Sequence, residues 1–395
     1  MHLHIFNPEN DLALADGGAA YCPPPAASRI AYDLATLPLW FAGKDSFVVL
    51  PDALHFQYAS EISKVFDVAK VYDNSMAGDV DNCTPWGWSP QIRRRLKAIG
   101  IQDDVMPSNE TIAKIRELSN RRTAIKILES LKECGVDTPE VPLYLTEPDD
   151  VARFVNSMPR SVIKAPWSGS GKGIAWGIGH VELPVEHFYR GVIKRQGGVV
   201  CEHFLESVQE FAMEFHVGNS GVEFAGYSLF EAAKGSYSGN ILAADEKIEK
   251  ILSRHIPLHE IIKVKEKLKK VLSDLLLESG YVGYLGVDMM IYRDGEHLRL
   301  NPCMELNLRM NMGVVSRLFY DNYVVRGSEG RYAVTYYKNE GEALAEYEKF
   351  KAEYPLVVND GKIVSGYMNL SPVTAESRYV AYVIIDDKLF SANCL

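Results

Sequence analysis

From Ser161 to Gly177 the chain reads SVIKAPWSGSGKGIAWG, an apolar strand ending on a lysine and opening into four glycines and two serines within twelve residues. So bare a stretch has to be a loop, and its composition restricts what it can hold. Glycines let backbone N–H groups approach an anion closely, and serines add hydroxyl donors. Two familiar phosphate loops are excluded. A P-loop needs Ser or Thr after its lysine and a glycine five residues before Gly171, but Lys172 is followed by Gly173 and position 166 is Pro166. A dinucleotide fingerprint needs its third glycine at position 174, which is Ile174. Lys164, two residues before Pro166, can set an ammonium beside the same anion. On this segment alone, an anion loop and a hairpin with a solvated lysine fit equally well.

At 395 residues the chain is too long for one ordinary core and divides more naturally into two or three α/β units. A net charge of −10 argues against broad binding to nucleic acid or an anionic membrane. The six cysteines, Cys22, Cys83, Cys134, Cys201, Cys303 and Cys394, form no C-x-x-C pair, which fits reduced thiols in a cytoplasm better than a disulfide framework or a zinc site. The start, MHLHIFNPEND, has no basic n-region, and no segment offers the eighteen apolar residues of a membrane span.

Along the chain, HLHIFN, DSFVVLPD and part of KVFDVAKVYD read as short buried strands, and SPQIRRRLKAIG reads as a helix closed by Gly100. Residues 1–115 thus suggest a small open parallel sheet. The run from Asn109 to Gly135 predicts one long helical stretch, and Pro148 opens a further helix before the strand SVIKAP. GGVVCEHFL, EFAMEFHV and VEFAGYSLF read as strands, with GNSG turning between the last two. HEIIKVKEKLKKVLSDLLLESG is an amphipathic helix, and YLGVDMMIY and EHLRLNP flank Asp294-Gly295, a strong hairpin signal. The tail from about 331 combines a charged helix with the strand RYVAYVIID.

A second constellation lies in GVDMMIYRDGEHLRLNPCMELNLRMNMG. Asp288 sits on one arm of the hairpin, and the period of two puts Glu305 and Asn307 on one face beyond the other arm. Carboxylates and an amide oxygen are hard ligands of the kind Mg²⁺ takes when it bridges nucleotide phosphates. Arg309 on the same face adds a planar fork for phosphate or carboxylate. Between the two constellations, Glu202 and the backbone from His203 to Leu205 can read an adenine edge, and Glu210 can take ribose hydroxyls; a strand pair with surface carboxylates fits that stretch as well.

The ordered set VIKAPWSGSGKG, CEHFLESVQEF, GVDMMIY and ELNLR resembles the ATP-grasp superfamily over roughly residues 115–320. The resemblance implies an α/β and α+β protein of ATP-grasp fold: an N-terminal open parallel-sheet domain (1–115), a central subdomain with the glycine loop (116–200), a C-terminal subdomain with a magnesium site (201–330) and a C-terminal α/β extension (331–395). It implies ATP and magnesium, two ions of it with manganese able to replace them. By position, Lys164 resembles the lysine at the α-phosphate, and Ser168, Gly169, Ser170, Gly171 and Gly173 the loop over the phosphates. Glu202 with Leu205 resembles the adenine hinge and Glu210 the ribose acceptor, while Asp288, Glu305 and Asn307 resemble the metal ligands. Arg309 resembles the arginine facing the reacting phosphoryl group, and Lys234 a lysine reaching the γ-phosphate.

The chain departs from the family pattern in two places. Where many relatives carry a lysine, SNRRTAIK offers Arg121 and Arg122, with Lys126 one turn on; Arg122 is the expected first phosphate contact. Reflection about Asp294-Gly295 pairs Asp288 with Asn301, so a bulge at NPCM has to intervene, or Asn301 becomes a ligand. The reaction implied is phosphorylation of a carboxylate to an acyl phosphate, displaced by an amine or, less often, a thiol. A phosphotransferase, or an ATP-binding regulatory protein without turnover, are the other readings. The partners implied are small-molecule or peptide substrates, with room for a homo-oligomer. Asn7, Glu9, Asn10 and Asp11 follow the first strand, where they can bind an amine or an amino acid; alternatively Asn10 or Asp11 caps a short helix. Trp86, Trp88 and the arginines after them either bind an anionic substrate or are core and solvated face, respectively.

Overall fold

A computed structural model describes residues 1–169, 173–218, 220–233 and 236–386. The N-terminal parallel sheet has β1 (His2–Ile5) between β2 (Phe47–Val48) and β4 (Asn82–Pro85), with β3 (Lys70–Val71) outside β2. Helices α1 (Asn10–Asp16), α2 (Pro25–Asp33), α3 (Ala53–Ile62) and α4 (Pro90–Ala98) connect and cover it. The chain order reverses beside β1, which sets the loops after β1 and β4 face to face at the carboxyl ends of the strands. The α4 helix starts where Ser89 Oγ accepts the Ile92 N–H (3.3 Å) and Pro90 gives up no needed donor.

The expected single helix after residue 109 is two. Ser108 caps α5 (Asn109–Leu118), and α6 (Arg122–Glu133) begins after a break at which Asn120 Oδ1 accepts the Arg122 N–H (2.9 Å). An asparagine side chain that satisfies a following backbone donor competes with continued helix, and here it wins.

Next comes a small antiparallel sheet of β5 (Leu143–Leu145), β6 (Ser161–Lys164), β7 (Ile174–Gly177) and β8 (Val199–His203), in the order β5-β8-β6-β7. The helices α7 (Pro148–Asn156) and α8 (Leu183–Gln196) close a core of their own with it, around Val151, Phe154, Ile163, Tyr189 and Cys201. A division between residues 200 and 201 therefore falls within β8.

The largest layer is a nine-stranded sheet. Its strands are β9 (Glu206–Gly218), β10 (Gly221–Ala233), β11 (Ser236–Leu242), β12 (Gly283–Asp294), β13 (His297–Asn307), β14 (Gly330–Tyr336), β15 (Val357–Asn359), β16 (Lys362–Asn369) and β17 (Tyr379–Ile385), in the order β13-β12-β9-β10-β11-β14-β17-β16-β15. The C-terminal strands thus extend the sheet that carries β12 and β13. The helices α9 (Asp245–Leu252), α10 (Leu258–Leu276), α11 (Met312–Tyr323) and α12 (Glu342–Glu353) pack on it.

One apolar core runs from Leu3 and Ile5 of β1 through Ile112, Ile127 and Leu268 to Phe211, Phe215 and Val287. A second joins Trp40 and Phe66 of the N-terminal unit to Phe319, Tyr323 and Val383. Trp86 and Trp88 are buried, so both belong to the core; Trp86 packs edge-on against Phe6 (4.9 Å between ring centroids). No helix among the described residues is long and apolar enough to cross a membrane.

Candidate active site

The hairpin of β12 and β13 turns at Gly295, whose positive φ of 62° suits glycine, and Asp294 pairs with His297. Met290 then faces Asn301, and the register shifts so that Asp288 lies opposite Glu305. The expected bulge is present, with Asn301 Oδ1 accepting the Cys303 N–H inside it (3.2 Å). Asn301 stays buried opposite Met290.

Asn307 stands two residues beyond Glu305 on the same face and donates through Nδ2 to Asp288 Oδ2 (3.0 Å). Burial, then the nearby charge of Glu305, pushes the Asp288 carboxyl up to about 7. Asn307 partly opposes that shift, and Glu210 on β9 adds to it.

Among the described residues, three cations meet this group or flank it. Arg121, at the α5–α6 break, donates through Nη2 to Glu305 Oε2 (3.0 Å), and through Nη1 to the Ala165 carbonyl (2.7 Å) and Ser168 Oγ (2.5 Å). It is buried, and its Nε has no partner. Arg122, the expected contact, points away to Glu117 at the surface (2.8 Å), so the cation reaching the acidic group is Arg121. Lys164, buried at the end of β6, forms an ion pair with Glu202 of β8 on the same face of the small sheet.

Arg309 makes a two-point bond to Asp11, with Nε to Oδ1 at 2.8 Å and Nη2 to Oδ2 at 2.7 Å. Its Nη2 also donates to Asn307 Oδ1 (2.9 Å) and its Nη1 to the Met310 carbonyl (3.1 Å). Asp11, Ser168, Glu305, Asn307 and Arg309 line a single narrow cleft.

Leu205 lies between β8 and β9, and Glu210 accepts from Ser207 Oγ (3.3 Å) four residues into β9. At the glycine loop, a Cβ on Gly169 would come within 2.9 Å of Asp11 Oδ2, and Gly173 has a φ of 83° with its carbonyl accepting from Ala165 (2.8 Å). Ser170, Gly171 and Lys234 lie outside the described residues.

Of the NPEND residues, Asn7 and Asn10 hold the facing loop after β4. Asn7 Nδ2 donates to the Gly87 carbonyl (2.9 Å), and Asn10 reaches the carbonyls of Gly87 (3.0 Å) and Trp88 (3.2 Å). Glu9 is buried beneath Gln91, which donates to it at 3.4 Å, and burial raises its carboxyl above the usual range. Only Asp11 turns toward the cleft. The sequence signal for it was its place after the first strand, which did not separate it from its neighbours.

A buried acid beneath the cleft escaped sequence reading altogether. Glu214 of β9 is 1% exposed, lies level with Gly286 of β12 and accepts from Asn311 Nδ2 (2.8 Å). Side chains at Gly286 or Gly313 would collide with it, and burial pushes its carboxyl up to about 8.

Solved structures of the same architecture exist. N5-carboxyaminoimidazole synthetase from Staphylococcus aureus, complexed with ADP, aligns over 98% of this chain and 93% of its own, with a TM-score of 0.53 and 13% identity. Biotin carboxylase from Campylobacter jejuni, in a complex with β,γ-ATP, aligns over 98% of this chain and 87% of its own, with a TM-score of 0.52 and 12% identity. The biotin carboxylase domain of the 2-oxoglutarate carboxylase from Hydrogenobacter thermophilus, a dimer with MgADP, ADP and bicarbonate, aligns over 99% and 89%, with a TM-score of 0.51 and 12% identity. No family model matches the chain, and no curated protein matches it in sequence. The fold is the ATP-grasp fold.

Proposed function

We propose that this chain is an ADP-forming ligase that uses Mg²⁺-ATP to join a small-molecule or peptide carboxylate to an amine, or less often a thiol, through an acyl phosphate. The observation that carries this reading is the acidic pair Asp288 and Glu305, held in register across β12 and β13 with Asn307 beside it and Arg121 and Arg309 on either side. The nucleotide complexes among the structural neighbours support a nucleotide here, and the bicarbonate complex supports a carboxylate-like substrate.

The donor set fits magnesium. Asp288 and Glu305 face each other across β12 and β13, with Asn307 bonded to Asp288. Two carboxylates and an amide oxygen form an incomplete, hard set that phosphate oxygens and water complete. A bound magnesium ion would supply positive charge to the nucleotide phosphates.

The chain's own residues divide the remaining work. Glu202 and the backbone at Leu205 hold the adenine, and Glu210 holds the ribose. Lys164 leaves Glu202 for the α-phosphate. Arg121 holds the base of the loop formed by Ser168, Gly169, Ser170, Gly171 and Gly173, and Lys234 serves the γ-phosphate. Arg309 presents N–H donors to the phosphoryl group in transfer, whose charge needs fixed, oriented partners. Closure of the loop keeps water from the acyl phosphate.

The decisive experiment follows ADP and phosphate release from Mg²⁺-ATP across a panel of amino acids, dipeptides and other carboxylates paired with amine acceptors. Products are weighed by mass spectrometry. Release that needs both partners, with a condensed product, is the expected result; a phosphorylated acceptor without condensation would select a phosphotransferase instead.

A further inference from the structure

The roles above leave one charged residue in the cleft unused. Asn7 and Asn10 are spent on the loop after β4 and Glu9 is buried, but Asp11 reaches across to a residue 298 positions later and holds it at two points. The geometry of that contact is informative. The N–H bonds of a guanidinium lie in one plane in fixed directions, so a carboxylate gripping the Nε/Nη2 edge sets where the Nη1/Nη2 edge points.

We propose that Asp11 is a positioning residue for Arg309, holding one edge of its guanidinium so that the other edge faces the transferring phosphoryl group. This rests on the ligase reading above. The Nη1/Nη2 edge has neutral partners, Asn307 Oδ1 on Nη2 (2.9 Å) and the Met310 carbonyl on Nη1 (3.1 Å), whereas the two Asp11 bonds are charge-assisted. An entering oxyanion therefore displaces these neutral acceptors first and leaves the Asp11 contact in place.

Gly169 ties this arrangement to the glycine loop. Its backbone lies so close to Asp11 that a Cβ there would come within 2.9 Å of Oδ2. One carboxylate thus sets both the plane of the arginine and the seat of the loop's first glycine, and that arginine is only 16% exposed.

The test is calorimetric titration of the full chain with MgADP, alone and with aluminium fluoride as a stand-in for the phosphoryl group in flight. In the wild type, fluoride should tighten MgADP binding by about tenfold or more. Asp11→Asn should bind MgADP within about threefold of the wild type, which also shows that it folds, yet gain less than about threefold from fluoride. Arg309→Lys should lose the same tightening, and adding Asp11→Asn to it should cost nothing further. Gly169→Ala, which keeps the charge and crowds the carboxylate, should lose part of the gain.

Full tightening in Asp11→Asn, or losses that add in the double variant, would overturn the positioning role. So would a wild type that binds MgADP but gains nothing from fluoride, with the nucleotide site left standing. A wild type that does not bind MgADP would overturn the ligase reading itself, and this inference with it.

Discussion

Asp288 and Glu305 face each other on neighbouring strands, and Arg121 contacts only Glu305 of the two. Like charges that close repel each other and cost stability. Glu305→Gln keeps an acceptor for Arg121 while removing a charge, so it should cost less than about 1 kcal/mol of stability. Magnesium-dependent turnover should fall by about 100-fold or more, the size expected when a fixed partner of the transferring group is lost. Thermal melting and ADP release measure the two effects side by side.

Glu214 gives a prediction in pH. Burial raises its carboxyl from the ordinary 4.5 to about 8, so between those values the native state holds a proton that the unfolded chain has released. Its contribution to stability is full below pH 4.5 and is lost as pH rises through about 8, at about 1.4 kcal/mol per pH unit. Melting temperatures taken from about pH 6 to about pH 9 should therefore fall less in Glu214→Gln than in the wild type, and an unchanged fall would remove Glu214 as its source. The acid pair was legible in sequence because strand alternation fixes which residues share a face. Glu214 was not, since the glycines that enclose it come from two other segments and no local pattern joins them.

At the scale of elements, the break between α5 and α6 decides which arginine enters the site. The apolar spacing that stops at Leu118 resumes at Ala124 and Ile127, so the sequence reads as one helix across SNRR, and Arg122 is the contact expected from it. Asn120, buried and bonded to the Arg122 N–H, ends that continuity and leaves Arg121 facing Ser168 and Glu305. Arg121→Ala should lower turnover by about 100-fold, whereas Arg122→Ala, at the surface with Glu117, should stay within about threefold. Equal losses in the two would place the functional cation elsewhere. The bulge in β13 was legible for the opposite reason. Counting back from the Asp-Gly turn left a mismatch that only extra residues could absorb, and the turn lies one residue later than the count assumed.

Across the whole molecule, the pairing of β11 with β14 and of β14 with β17 makes the C-terminal extension part of the sheet that carries the acid pair. Such partners are distant in sequence, and strand patterns alone do not reveal them. Ending the chain at Glu329 would strip β11 of its neighbour and uncover Phe319 and Tyr323. The shortened protein should aggregate or melt without a cooperative transition, as an open apolar sheet edge does; soluble yield and calorimetry would show it, and a cooperative, soluble fragment would refute it. The small sheet is built differently, with a core of its own around Tyr189 and Ile163. Its loop is tied to the rest through Arg121 and through Trp167, which donates to the Arg116 carbonyl (2.9 Å). The molecule is therefore a vice with unequal jaws. Nine strands make one jaw and four the other, and the smaller jaw, which closes its own core, carries Lys164 and Glu202.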